Sequence, residues 1–135
     1  MLQLSAKNFF FPAFLRNKWW HTVLCVIIIF TLSLLPQNKL PKPHFSFEDL
    51  MVHFLMYSSL AYCIGLSIYD KLKLEKSKIN LSIVPLILGL MGLLIEILQK
   101  ILPIHRFFSW EDAACNFLGA CSFYFIALKI QNSEI

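Results

Sequence analysis

Eight polar residues in a largely apolar chain have the types and the spacing for chemistry: Asp49, His53 and Tyr57; Glu96 and Gln99; Arg106; Asp112 and Asn116. Within each group the members stand three or four residues apart, so a helix would set them on one face. A histidine one turn after an aspartate is an imidazole oriented by a carboxylate, a common form of general acid or base. Glu96 supplies a second carboxylate for proton exchange. An arginine can grip phosphate or carboxylate through two parallel N–H bonds. His53, Asp49 and Glu96 are therefore the candidate catalytic residues, and Tyr57, Gln99, Arg106, Asp112 and Asn116 the candidate binding residues. No Ser–His–Asp set or cysteine nucleophile accompanies them, which disfavours covalent catalysis. Asp49, His53, Glu96 and Asp112 suit a metal ion by type. One histidine among scattered carboxylates makes no compact ligand motif, however, and neither a metal nor a cofactor is expected.

Two of these groups belong to one phrase written twice. FSFEDLMVHFL occupies residues 45–55 and FSWEDAACNFL residues 108–118, with Phe, Ser, Glu, Asp, Phe and Leu recurring in register and His53 replaced by Asn116. Part of the phrase reads as a helix start. Ser46 and Ser109 are placed to cap, Asp49 and Asp112 follow at capping-box spacing, and Phe45 can staple to Leu50. Capping leaves His53 and Asn116 unexplained, because each lies a turn deeper on the face of its aspartate.

The elements that must carry these residues follow from composition. The 135 residues are 58% hydrophobic and 15% charged, with a mean hydropathy of +0.66, which suits lipid as solvent better than water. Four apolar stretches, about 19–35, 50–69, 81–102 and 112–130, approach the roughly 20 residues a membrane helix needs. The predicted fold is an all-α membrane protein, a four-transmembrane-helix bundle arranged as two parallel helical hairpins. Residues 1–18 form an amino-terminal flank, 19–130 the membrane domain and 131–135 a tail. The first stretch resembles a signal-peptide core, but no small-x-small cleavage site follows it, so it is expected to stay as a helix. Pro36, Pro41, Pro43 and Pro103 break connections, and the charged run 70–78 separates the halves.

Eight of the twelve Lys and Arg residues flank one side of these stretches (Lys7, Arg16, Lys18, Lys71, Lys73, Lys76, Lys78, Lys129), and Lys39, Lys42, Lys100 and Arg106 the other. The asymmetry predicts both termini and the central loop in the cytoplasm. Dispersed in this way, the basic residues mark topology and no nucleic-acid partner; the bilayer is the expected partner. Both copies of the phrase then begin on the outer face, and His53, Asn116 and Glu96 come to one depth, roughly 10 Å in. His21, His44 and His105 read as solvated interface residues, and Cys25, Cys63, Cys115 and Cys121 as small buried hydrophobes.

At these polar positions the chain resembles the VanZ-like family of small bacterial membrane proteins. Its pattern of Asp-x-x-x-His with a Tyr one turn on, Glu-x-x-Gln, Arg, Asp-x-x-x-Asn and a small pair is matched by Asp49, His53 and Tyr57, by Glu96 and Gln99, by Arg106, and by Asp112, Asn116, Gly119 and Ala120. Leu50 departs from the Lys of many relatives, and IHRFFSWED is bulkier than the usual Gly-Arg turn. The resemblance spans about residues 30–128. It implies a small helical bundle in the bacterial inner membrane and, through a member associated with resistance to glycopeptides such as teicoplanin, a lipid-linked or cell-envelope substrate. It implies no reaction. Three classes stay open: a site that binds or modifies such a molecule, a non-enzymatic binding or transport-like bundle, and a structural accessory whose polar residues hold helices together.

Overall fold

Long apolar runs satisfy their backbone polar groups by closing them into helices. The computed structural model, which describes residues 13–39, 47–75 and 78–133, is built this way. Helix α1 spans Trp20–Ser33, α2 Glu48–Ser67, α3 Tyr69–Leu74, α4 Ile83–Ile101 and α5 Trp110–Asn132, with single 3₁₀ turns at Ala13–Leu15 and Gln37–Lys39. There is no strand among the described residues. Three helices, α2, α4 and α5, are long and apolar enough to cross a membrane. Helix α1 is shorter than the predicted 19–35 segment: its 14 residues rise only about 21 Å. Residues 1–12, 40–46, 76–77 and 134–135 lie outside the described residues, and with them the capping by Ser46, the Phe45 staple and the placing of His44.

Helix directions follow from who meets whom. His53 meets Asn116, Ser58 meets Gly119 and Tyr69 meets Ser133, so α2 and α5 run parallel. These are the helices that carry the repeated phrase, and they form the most extensive helix–helix contact among the described residues. Helix α4 runs antiparallel to α5, since Gly92 faces Asn116, Gly89 faces Phe117 and Ser82 meets Tyr124. Helix α1 runs antiparallel to α2. Its start meets the end of α2 through Thr22 and Ser67, and its end meets α4 where Gln99 donates to the Ser33 carbonyl.

The bundle is apolar outside and partly polar within. Helix α4 shows the pattern best: Leu86, Ile87, Leu90, Leu94, Ile97 and Ile101 are exposed, while Leu88, Gly92, Ile95, Glu96 and Gln99 are buried. In lipid this is the favourable arrangement, because a polar group facing hydrocarbon costs several kcal/mol. Close backbone approach holds α2 to α5. A Cβ added at Gly119 would strike the Phe54 carbonyl oxygen and lie 3.0 Å from Tyr57 Cβ, as in other small-residue membrane interfaces.

Three expectations need correction. The charged run 70–78 does not merely separate halves. Its first part belongs to α3, which continues from α2 across Ile68 and buries Tyr69 and Leu72. His21 is not a solvated interface residue: it is buried, with Nε2 3.0 Å from the Cys63 carbonyl and 3.3 Å from Ser67 Oγ. The four cysteines are free but only half-buried.

Candidate functional site

The end of the bundle where α2 and α5 begin and α4 finishes carries the polar cluster. Helix α5 starts as its sequence dictates. Ser109 is the N-cap, with extended backbone, and its Oγ accepts from the Asp112 N–H at 3.1 Å. The second copy of the phrase thus caps its helix, whereas α2 begins after Phe47 without a side-chain cap. Ser109 also donates its own N–H to Glu96 Oε2 at 3.3 Å. One residue therefore ties the end of α4 to the start of α5. Ser109→Ala should cost about 1 kcal/mol of stability through the lost cap, read as a lowered Tm in detergent. A loss well above that would mean the backbone tie to Glu96 had also broken.

One turn deeper, the His53 ring is held across the central pair, with Nδ1 3.0 Å from Asn116 Oδ1. The single change between the two copies of the phrase thus provides a complementary pair, imidazole against amide. His53 is 2% exposed and Asn116 fully buried. With the amide oxygen toward it, Nδ1 is the donor, so in the neutral ring the lone pair sits on Nε2. That nitrogen faces two carboxylates, 3.9 Å from Asp49 Oδ1 and 3.9 Å from Asp112 Oδ2. Gly92 makes room for the amide, since a Cβ there would lie 2.8 Å from Asn116 Cβ.

Glu96, Gln99 and Tyr57 are all at most 1% exposed. Gln99 Nε2 donates to the Ser33 carbonyl at 2.9 Å. Tyr57 Oη, Glu96 Oε1 and Asn116 Nδ2 are buried without a hydrogen-bond partner. Such groups are costly and uncommon in folded proteins; three of the six among the described residues are these, the others being on His21, Ser122 and Gln131. Arg106 follows His105, which adopts a left-handed backbone (φ 55°), and the guanidinium points back to the bundle. Its Nη1 lies 3.5 Å from the Ser33 carbonyl, and it stays within electrostatic range of Glu96 and Asp112 without forming an ion pair to either.

All eight sequence-predicted residues therefore lie at one end of the bundle. Asp49, His53, Asp112 and Asn116 form one connected group, with Glu96 joined to Asp112 through Ser109. Gln99 and Arg106 converge on Ser33. Sequence reasoning missed Ser33, which contributes only a backbone carbonyl from the last turn of α1 and so carries no side-chain signal. It also missed a second polar contact at the opposite end, where Ser67 Oγ meets Thr22 Oγ1 at 2.8 Å and the Lys18 carbonyl at 3.2 Å. Fold and site together define an all-helical protein of membrane type with a buried polar cluster at one end. No family model, curated protein or solved structure matches the chain.

Proposed function

We propose that the chain is a VanZ-like protein of the bacterial inner membrane whose polar cluster binds or modifies an anionic lipid-linked or cell-envelope molecule. The observation that carries this reading is a guanidinium that forms no ion pair among the described residues, at the same end of the bundle as buried polar atoms that lack partners. Arg106 keeps most of its donors for a ligand, and Tyr57 Oη, Asn116 Nδ2 and Glu96 Oε1 add two donors and an acceptor. An anionic headgroup held by Arg106 would use the two donors, while the Glu96 oxygen would accept from a hydroxyl or N–H elsewhere on the same molecule. His53, flanked by Asp49 and Asp112, is the group positioned to exchange a proton if the bound molecule is also transformed. Gln99 Nε2 and Asn116 Oδ1 already have interhelical partners, so these atoms hold the helices in place and leave Asn116 Nδ2 for the ligand.

In this reading α1 is the fourth membrane helix and both termini are cytoplasmic. Although short, α1 reaches from the end of α2 at Ser67 to the last turn of α4 at Gln99, and so touches both ends of the bundle. Its exposed Val23, Leu24, Ile27, Ile28 and Leu32 suit a lipid-facing side. Local thinning of the bilayer accommodates a short helix at modest cost.

Orientation and function are testable in one strain. On a cysteine-free background, Lys39→Cys should be labelled by an impermeant reagent in intact cells and Lys78→Cys only after permeabilisation; both positions are exposed. The reverse pattern places the cluster on the cytoplasmic face and removes an outer-leaflet substrate. In the same strain, deleting the protein should change the profile of envelope lipids and lipid-linked intermediates. Wild type should restore it and Arg106→Gln should not. Restoration by Arg106→Gln would overturn the anion-binding reading.

A further inference from the structure

Asp49, His53 and Asp112 converge in a way that hydrogen bonding between them does not explain. One carboxylate oxygen from each aspartate and one imidazole nitrogen lie within 4.8 Å of one another. The Nε2–oxygen separations of 3.9 Å are too long for hydrogen bonds, which end near 3.2–3.5 Å. They are close to what a shared metal ion requires. Two ligands about 2.1 Å from one ion at a tetrahedral angle stand about 3.4 Å apart, so inward movements of about half an ångström would close the set.

The histidine adds an observation of its own. Its Nδ1 is occupied by Asn116 Oδ1, the outer partner that fixes the tautomer of a metal-binding imidazole. The buried ring therefore turns Nε2 toward two carboxylate oxygens, and in its neutral form offers a lone pair to a cation between them. Glu96 Oε1, a buried carboxylate oxygen without a hydrogen-bond partner, stands outside this set of three but within electrostatic range of His53 and Asp112.

We infer that Asp49, His53 and Asp112 form a binding site for one divalent first-row transition ion, of the Zn²⁺ or Mn²⁺ type. One imidazole and two carboxylates suit such ions, whereas Ca²⁺ requires six to eight oxygens. Three protein ligands leave at least one position open, as in catalytic rather than structural metal sites. Asp49 is the outermost ligand, with its side chain 58% exposed, and it provides the route of entry. The site also accounts for how an anion could approach Asp49, Glu96 and Asp112: the metal offsets their charge and presents its open position to the oxygen that Arg106 holds. That last step rests on the proposed function; the metal site itself does not.

The test uses full-length protein in detergent, purified through a tag without histidine, stripped with EDTA and titrated with Zn²⁺ or Mn²⁺ alone. The expected result is one equivalent bound by wild type with a rise in Tm, and at least a tenfold weaker affinity for Asp49→Ala. His53→Ala risks misfolding because it strands Asn116. Asp49→Ala does not, since this side chain is largely exposed, and its Tm in EDTA should match wild type. No saturable binding to wild type would overturn the site and leave an imidazolium held between two carboxylates. Equal binding by wild type and Asp49→Ala would also overturn it, as adventitious binding elsewhere. With no envelope molecule in the assay, either result leaves the role of Arg106 to be judged by the strain experiment.

Discussion

Arg106→Gln and Glu96→Gln should each abolish function in cells while leaving stability near that of wild type, and the double variant should show no compensation. Among the described residues Arg106 has no carboxylate within ion-pair distance, and its one hydrogen bond there, to the Ser33 carbonyl, is long at 3.5 Å. Losing it should change stability by no more than about 0.5 kcal/mol. Glu96 accepts one hydrogen bond, from the Ser109 N–H, and a glutamine oxygen can keep it. The functional loss should be large, because hydrogen bonds to charged groups are worth about 1.5–3 kcal/mol each, or roughly tenfold to a hundredfold in affinity. Thermal unfolding in detergent beside complementation of the envelope profile decides the matter. If the two residues were mutual counter-ions, each single change would cost about 3–5 kcal/mol by stranding a buried charge, and the double variant would regain much of it. That coupling would convert the anion clamp into structural glue.

The largest stability effect should come from Gly119→Ala. The added methyl would meet the backbone carbonyl of Phe54, which cannot rotate away, and then Tyr57 Cβ at 3.0 Å. Helices α2 and α5 must separate to admit it. Overpacking of this kind costs about 1–3 kcal/mol, and a backbone obstacle points to the upper end. Gly89→Ala is the control. Its methyl would also clash, at 2.6 Å, but with the ring of Phe117, a side chain 46% exposed and able to turn toward lipid. Unfolding in detergent should rank Gly119→Ala well below Gly89→Ala. Equal stabilities would refute the close approach of the central pair. Gly119→Ala should also weaken the metal site, since separating α2 from α5 draws Asp49 and His53 away from Asp112.

Much of this arrangement is legible in the sequence because lipid makes polar residues conspicuous. A carboxylate or imidazole inside an apolar helix must turn inward and find company, so spacing alone brings Asp49, His53, Glu96, Asp112 and Asn116 to one end. The repeated phrase carries still more: its two copies pack against each other, and its one substitution supplies the hydrogen bond between them. Other features have no such mark. The Ser33 carbonyl is an acceptor that any residue could offer. His21 lies at the edge of an apolar run, where polarity predicts water, but the antiparallel packing of α1 on α2 covers it. The extension of α2 into α3 depends on Tyr69 and Leu72 finding α5, a tertiary contact that overrides the polarity of the surrounding lysines. Where α1 ends is equally a matter of what its last carbonyl meets.

The parallel pairing of α2 with α5 has a consequence for how the protein is made. His53 and Asn116 are bonded across 63 residues of chain, and both aspartates facing the imidazole cannot be present until α5 has been synthesised. At about 5–20 residues per second, that interval lasts roughly 3–13 s. During it α2 has entered, or waits beside, the membrane with its ionisable residues unmatched. The newborn chain is therefore most exposed to quality control between the second and last helices, and a factor that shelters half-polar helices would act in that window.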